Sequence, residues 1–222
     1  MSIKNKPLIL LLSTYITLLL IIVSIANRFV SVSISTQPGG IFIFPFTFLI
    51  CNIVGEVYGY STARFFIWIG IFCEIVFAVF TTTIAHLPYP DFFTTFQAYN
   101  TVFDPTIRFV FAGLCGLLFG EFLSVYLLVK WKIKLNGKLF GLRSIGAIAI
   151  GQLSLSIIVD VVAFLNRIPF KALLLVILSG FLWKMAITLI FIYPAWVIAQ
   201  NLKIIEKIDF YDVGTKFNPF KL

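Results

Sequence analysis

Six apolar stretches of membrane-spanning length run through this 222-residue chain and leave few residues between them. A helix needs about 20 apolar residues to cross the hydrocarbon core of a bilayer, and backbone in lipid must satisfy its own hydrogen bonds. With 60% hydrophobic residues and a mean hydropathy of +1.05, the chain has more apolar surface than a soluble domain of this size can bury. We therefore predict an all-α polytopic membrane protein, a bundle of six transmembrane helices with spans at residues 7–26, 41–58, 64–85, 106–130, 143–165 and 172–200.

The predicted domain organisation is one transmembrane domain, residues 1–200, followed by a tail, residues 201–222. The amphipathic start of the tail favours a short surface helix with a frayed end. At the N-terminus, Ser24-Ile25-Ala26 resembles a signal-peptidase site. The preceding run is long enough to span and more spans follow, so an uncleaved first helix is favoured.

The Lys and Arg residues are distributed unevenly between the two sides of the predicted bundle. Twelve lie on the side that holds the N-terminus and four on the other side, and the loop at 130–143 alone holds five. Positive residues accumulate in cytoplasmic loops, so we predict that both termini are cytoplasmic and that the loop at 87–105 is external. Because the net charge of +8 is explained by this asymmetry, we expect no nucleic-acid partner.

Charged residues inside the apolar stretches indicate a polar interior. A charge at the centre of a bilayer costs about 2.5–3.5 kcal/mol on insertion scales. Such residues therefore face the bundle interior, where they pair with each other or contact a transported molecule. The five predicted to lie within spans are Glu56, Glu74, Glu121, Asp160 and Lys184.

Two groups of these residues are candidate binding sites. Asn52, Glu56 and Tyr60 follow each other at intervals of four and are predicted to share one helix face. An ionised Glu56 accepts paired N–H donors from a ligand; the alternative is a structural ion pair, for instance with Arg64. Asp160 and Lys184 lie on consecutive antiparallel spans. They form either a ligand site or a buried pair that only orients the helices.

Further side chains are candidates for lining the same cavity. Glu121 and Gln152 each follow a glycine within a span, and Phe48, Phe164 and Trp183 flank the charged positions. Aromatic faces beside hydrogen-bonding groups suit a flat heterocycle. His86 is the only histidine, and no nucleophile–base set or metal-ligand spacing is present in the sequence. We therefore expect no enzyme activity, no metal and no cofactor.

The second predicted span resembles a known signature. Its residues read Phe44-Pro45-Phe46-Thr47-Phe48, then Gly55-Glu56-Val57-Tyr58-Gly59-Tyr60, then Ala63-Arg64. This block is similar to the pattern FPxTFxxxDxxxEVYGxxxARR of the queuosine precursor transporter family, the vitamin-uptake-like transporters. Asp160 with Phe164, and Lys184 with Pro194, resemble later motifs of that family. The sequence departs from it at Asn52 and Ser124, where the family has aspartates, and at Phe65, where the family has arginine.

The resemblance implies uptake of 7-cyano-7-deazaguanine, 7-aminomethyl-7-deazaguanine or queuine across a bacterial cytoplasmic membrane, as salvage for tRNA modification. The neutral ring is compatible with facilitated diffusion or with proton coupling. A substrate-capture subunit of an ATP-driven vitamin or nucleobase uptake system is the alternative, and a homo-oligomer is compatible with either. The candidate substrate-binding residues are Asn52, Glu56, Arg64, Glu121, Gln152, Asp160 and Lys184, with Phe48, Phe164 and Trp183 for aromatic stacking.

Overall fold

The computed structural model describes residues 6–32, 35–164 and 166–220, and these residues form a helical bundle. Six helical segments are long and apolar enough to cross a membrane, which confirms the predicted fold class. The elements are α1 (Lys6–Ile25), β1 (Phe29–Val32), β2 (Ser35–Pro38), a 3-10 turn (Gly39–Phe42), α2 (Phe44–Tyr58), α3 (Tyr60–Ala85), α4 (Phe96–Phe103), α5 (Thr106–Gly116), a π-helical segment (Leu117–Glu121), α6 (Phe122–Lys134), α7 (Phe140–Phe164) and α8 (Phe170–Glu206).

Helix α2 is the central element of the bundle. All but two of its 15 residues are buried, and it packs against α1, α3, α6 and α8. A helix that is apolar all round needs neighbours on every side, so α2 holds Asn52 and Glu56 in the interior, away from lipid. Its N-terminus follows the 3-10 turn directly, and Pro45 lies in its first turn, where proline is tolerated.

The helix ends at Tyr58 because Gly59 adopts φ +87° and ψ 173°. This backbone conformation is open to glycine and strained for other residues. Tyr60 is therefore the first residue of α3 and does not continue the face of α2. The prediction that Asn52, Glu56 and Tyr60 share one helix face was wrong for Tyr60.

A short hairpin between α1 and α2 was absent from the sequence prediction. Strands β1 and β2 pair antiparallel, with Val32 opposite Ser35 and Phe29 opposite Pro38. Gln37 Nε2 donates to Ser179 Oγ (2.6 Å) and joins the hairpin to α8. We call this end of the bundle the hairpin end. The loop predicted at 87–105 also lies here, and it contains α4.

The last described residues, 207–220, form no helix and fold back on the opposite end of the bundle, which we call the tail end. Phe210 N donates to Val57 O (3.2 Å), and Tyr60 N donates to Asp212 Oδ2 (3.0 Å). Trp68 Nε1 donates to Pro219 O (2.7 Å). The expected surface helix was wrong, because α8 continues to Glu206 and the segment after it pairs with backbone groups freed by the break at Gly59.

Helices α6 and α7 approach closely beside the π-helical segment. A Cβ on Gly120 would lie 2.8 Å from the carbonyl oxygen of Gly151. Glycine at both positions lets the two backbones touch, as small residues do between membrane helices. This contact brings the π-helical segment, which carries Glu121, next to the part of α7 that carries Gln152.

Candidate functional site

The polar interior contains an ion-pair cluster at the tail end, made of Glu56, Lys132, Arg143, Lys203 and Asp209. Arg143 donates from both terminal nitrogens to the two Glu56 oxygens, at 3.0 and 3.2 Å. Lys203 Nζ lies 2.7 Å from Glu56 Oε1. Glu56 and Arg143 are almost completely buried. A bidentate, charge-assisted contact thus joins α2 to α7, and a single ion pair joins α2 to α8.

Lysine 132 fastens the tail to this cluster. Its Nζ donates to the carbonyl oxygen of Glu56 (2.6 Å), to Asp209 Oδ1 (2.6 Å) and to the carbonyl oxygen of Phe210 (2.8 Å). Lys203 Nζ also pairs with Asp209, at 3.0 Å. Three of the five members are cations and two are carboxylates, so the tail end of the bundle is closed by a well-bonded, slightly positive cluster.

The attachment of the tail is expected to depend on pH through Asp209. Partial burial opposes ionisation of this carboxyl, but hydrogen bonds from Lys132 and Lys203 outweigh it and hold the pKa of Asp209 below its ordinary value. A lowered pKa means that the contact stabilises the folded tail above the ordinary aspartate range and is lost as pH falls through the folded-state value. Hydrogen exchange of residues 207–220, corrected for intrinsic rates, should show protection that disappears on acidification.

In Asp209→Asn the tail should already exchange faster at neutral pH, and its protection should not fall further on acidification. Asp91→Asn, in the loop before α4, is the matched control and should behave as the wild type. A wild-type tail that remains equally protected in acid would contradict the role given to Asp209.

Arginine 64 does not pair with Glu56, contrary to the partner suggested from the sequence. It donates to the carbonyl oxygen of Asn218 (2.8 Å) and stabilises the tail. The partner that sequence reasoning missed is Arg143. It was counted among the basic residues that orient the bundle and was not placed at the site, although its position at the start of an apolar stretch was a usable signal.

Asparagine 52 lies one turn before Glu56, inside the bundle. Its Nδ2 donates to Ser144 Oγ (2.9 Å), and Ser124 Oγ lies 3.4 Å from its Oδ1. Asn52 and Ser124, the two positions at which the resemblance noted above would place aspartates, therefore lie in one neutral hydrogen-bonded group.

A second polar region lies nearer the hairpin end, in a cavity between α1, the 3-10 turn, α7 and α8. Asp160 and Lys184 both line it, together with Phe44 and Phe164. Lys184 Nζ donates to Ser156 Oγ (2.5 Å), and no ion pair shorter than 4.0 Å joins it to Asp160 in the described part of the chain. The two charged groups thus share a cavity without neutralising each other by direct contact.

Glutamine 152 extends this polar region along α7. Its Nε2 reaches Thr188 Oγ1 at 3.5 Å, and Thr188 Oγ1 donates to the carbonyl oxygen of Lys184. Two acceptors here, Gln152 Oε1 and Asp160 Oδ2, are buried and lack a hydrogen-bond partner among the described residues. Buried acceptors are normally satisfied, so these two are available to a donor from a ligand.

The three candidate aromatic residues lie in different surroundings. Phe164 lines the cavity of Asp160 and Lys184. Phe48 is fully buried and packs against Gly151. Trp183 is half-buried on another face of α8, where its Nε1 donates to Ser35 Oγ (2.9 Å). Phe44, whose ring lies 6.0 Å from Lys184 Nζ, is an aromatic neighbour outside the predicted set of three.

Glutamate 121 lies apart from both regions, between α1, α2 and α3. Tyr15 Oη donates to its Oε2 (2.5 Å), and Cys51 Sγ lies 3.9 Å from the same oxygen. Its Oε1 and Glu74 Oε2 are buried without a hydrogen-bond partner among the described residues. Within those residues no three His, Cys, Asp or Glu side chains converge as metal ligands.

Comparison with known proteins identifies the family. Residues 38–199 match the model of the family described as "Putative vitamin uptake transporter". The match covers more than half of the chain and includes α2, α7 and most of α8. No curated protein matches the chain, and no solved structure matches it. The chain is therefore a multi-pass membrane protein that belongs to the vitamin uptake transporter family.

Proposed function

We propose that this protein imports a 7-deazaguanine precursor of queuosine across a bacterial cytoplasmic membrane for tRNA modification, with the tail end on the cytoplasmic side. Membership of an uptake-transporter family supports the transport of a small molecule. The resemblance of residues 44–64 to the queuosine precursor transporters supports this class of substrate. The excess of basic residues at the tail end supports the orientation.

The observation that carries the proposal is the unsatisfied acceptor Asp160 Oδ2, which lies in one cavity with a lysine and two aromatic rings. A deazaguanine presents N1–H and N2–H2 donors on one edge and the O6 acceptor next to them. Asp160 Oδ2 supplies an acceptor in the cavity, and Lys184 supplies a donor for O6. Gln152 Oε1 is a second open acceptor about two turns earlier on α7. Phe44 and Phe164 supply apolar faces for the ring. Donor and acceptor types are thus complementary between ligand and cavity.

Asp160 is a better candidate than Glu56 for the carboxylate that receives the ligand. Both Glu56 oxygens are already occupied by Arg143 and Lys203. A ligand at Glu56 would have to displace two cations, whereas a ligand at Asp160 satisfies an open acceptor. Glu56 and Arg64 then help to close the tail end, Glu56 through the ion-pair cluster and Arg64 through its hydrogen bond to the tail. Asn52 lies between the ion-pair cluster and the cavity of Asp160 and Lys184.

Transport also requires that the cavity open. It measures about 40 Å³ in this structure, whereas small-molecule pockets have roughly 300–1,000 Å³. Binding of a two-ring heterocycle therefore needs α7 and α8 to move apart near Asp160 and Lys184. Release on the cytoplasmic side needs the tail-end cluster to open in turn. In alternating access a central binding site opens to one side of the membrane at a time, so each end of the bundle needs its own closing contacts.

The test is the queuosine content of tRNA in cells that can neither make nor import the precursors, expressing this chain. Each precursor is supplied singly at low concentration. The expected result is queuosine in tRNA with one or more of the three, dependent on the chain. Vesicles containing the purified chain alone then distinguish a complete transporter from the capture subunit of an ATP-driven system. No restoration despite membrane expression and a competent salvage pathway would overturn the proposal.

Replacing Lys184 by methionine is expected to lower uptake roughly 10-fold or more, since a charged hydrogen bond contributes about 1.5–3 kcal/mol. Methionine keeps the length of the stem but removes the donor to Ser156 and to the ligand. Uptake is measured in the same cells at equal membrane levels. Lys171→Met, an exposed position in the first turn of α8, is the control. Full uptake with raised stability would show that Lys184 is only structural.

A further inference from the structure

Apart from Glu206, which is the last residue of α8, four buried carboxylates lie within the membrane-spanning helices, and these four fall into two classes. Glu56 is paired with Arg143 and Lys203, and Asp160 shares its cavity with Lys184. Glu74 and Glu121 have no Lys, Arg or His within ion-pair distance in the described ranges 6–32, 35–164 and 166–220. These two acids therefore differ from the others in having no counter-charge.

Glutamate 121 is enclosed by neutral groups. It is 0% exposed, and Tyr15 from α1 and Cys51 from α2 lie against its Oε2. Glu74 from α3 is the third titratable group that faces it. The α7 residues that pack against the π-helical segment at Gly120 are Gly151 and Leu155, and neither carries a charge. The Thr47 hydroxyl of α2 also faces the Glu121 carboxyl, but Oε1 has no hydrogen-bond partner of normal geometry among the described residues.

Glutamate 74 has a similar environment one level nearer the hairpin end. It is 2% exposed, and its Oε2 lies beside Gly113 of α5 without a hydrogen-bond partner in the described structure. Glu121, Tyr15 and its neighbour Cys73 are the titratable groups that face it. Gly113 precedes Glu121 by eight residues, or about 12 Å of helix. The two acids are thus arranged from the hairpin end towards the centre of the bundle.

An ionised carboxylate in such surroundings is very costly, because neither water nor a cation compensates its charge. Burying the protonated, neutral carboxyl group in the same surroundings costs much less free energy. Tyr15 already donates to Glu121 Oε2, so the proton of the neutral acid belongs on Oε1. Ionisation becomes favourable only when the helices move and water reaches the group. A group whose charge depends on helix position is what coupling of protons to transport requires.

We propose that Glu121, with Glu74 as a relay towards the hairpin end, is a proton-binding site that couples substrate uptake to proton entry. This inference rests on the proposed transport function. One proton binds at Glu121 Oε1 when the site is open to the hairpin end, forming the O–H bond, and leaves to water at the tail end. No other bond is made or broken.

The link between the proton site and the cavity is the contact of the π-helical segment with α7. Glu121 ends this segment, and Gly120 touches Gly151, the neighbour of Gln152. π-Helical turns are frequent at functional positions because they locally loosen the helix. A change of charge at Glu121 therefore acts on the helix that carries both Gln152 and Asp160.

The first experiment uses the purified chain in liposomes with labelled 7-cyano-7-deazaguanine as the probe, and with the other two precursors if this one is not exchanged. Exchange is measured without a pH gradient, and accumulation is measured with the outside more acidic. At one proton per substrate, one pH unit supports accumulation of up to about 10-fold. The wild type should show both activities. Glu121→Gln, which resembles the neutral acid, should retain exchange and lose accumulation, and Glu74→Gln should accumulate more slowly.

Glu206→Gln, a buried carboxylate at the end of α8, is the matched control and should retain both activities. Wild-type exchange without a response to the gradient would overturn the coupling while leaving the transport function intact. Accumulation by Glu121→Gln equal to that of the wild type would also overturn the coupling through Glu121 and leave the transport function intact.

A second experiment needs no substrate. Infrared difference spectra of the wild type and Glu121→Gln at neutral pH should contain the carbonyl band of a protonated carboxyl group, shifted in heavy water. The band should be absent from the difference between the wild type and Glu206→Gln. If none of the three precursors is exchanged, the proposed function fails, and this band alone decides the proton site. A missing band at neutral pH would overturn the proposal whatever the transport result.

Discussion

Asp160→Asn is expected to lower uptake of the queuosine precursor roughly 10- to 100-fold, which corresponds to the loss of about 1.5–3 kcal/mol from a charge-assisted hydrogen bond. Asparagine has nearly the same size as aspartate, so the packing of α7 is kept. It replaces one acceptor oxygen by an NH2 group that faces the donor edge of the ligand. It also removes the only carboxylate that lines the cavity of Lys184 in the described structure.

The measurement is initial uptake of labelled precursor at equal membrane levels, followed by the queuosine content of tRNA. Asp104→Asn is the matched control, since it makes the same chemical change at an exposed position near His86. The control should take up the precursor as the wild type does. Uptake by Asp160→Asn within twofold of the wild type would remove Asp160 from the binding site.

Glu56→Gln is expected to have the largest effect on stability, about 3–5 kcal/mol of unfolding free energy. The substitution leaves the guanidinium of Arg143 buried, still bonded to carbonyl oxygens but without a counter-charge. Lys203 retains Asp209 as a partner. The cost therefore comes mainly from the buried arginine, and it weakens the contact of α2 with α7. Thermal unfolding of the purified protein in detergent gives the measurement.

The double variant Glu56→Gln with Arg143→Met tests this explanation. Removing both charges should recover part of the lost stability, because no unpaired ion then remains in the interior. Arg167→Met, at an exposed arginine between α7 and α8, controls for the loss of an arginine as such. Independent, additive effects of the two single substitutions would show that the ion pair seen in the structure does not act as a unit.

The spans were predictable because their signal is local. The apolar composition of each stretch predicts a membrane span without reference to the rest of the chain. The observed helices follow the predicted ranges to within a few residues at most ends. The main departures are the extension of α8 to Glu206 and the early start of α3 at Tyr60. Helix α3 starts at Tyr60 because Gly59 breaks the helix with φ +87°, and α8 ends where Lys207 adopts φ +55°. Neither residue was recognised as a helix boundary from the sequence.

The candidate site was only partly predictable. Intramembrane charge identified Glu56, Glu121, Asp160 and Lys184 as interior residues, and all four are buried. The partners were not predictable: Glu56 meets Arg143, 87 positions later, and Tyr15 meets Glu121, 106 positions later. Periodicity within one helix says which residues share a face, but it does not say which face of another helix lies opposite.

By itself, the sequence determined that this protein is a bundle of membrane-spanning helices with charged groups inside it. That result follows from the cost of exposing apolar side chains to water and charges to lipid, which each residue incurs wherever its helix lies. Only the tertiary structure decided which charges are neutralised and which are left open. Glu56 is closed by two cations, Asp160 keeps an open acceptor, and Glu74 and Glu121 have no counter-charge within the described residues. These differences arise from how helices distant in sequence pack, because hydrogen bonds and ion pairs act only over a few ångströms.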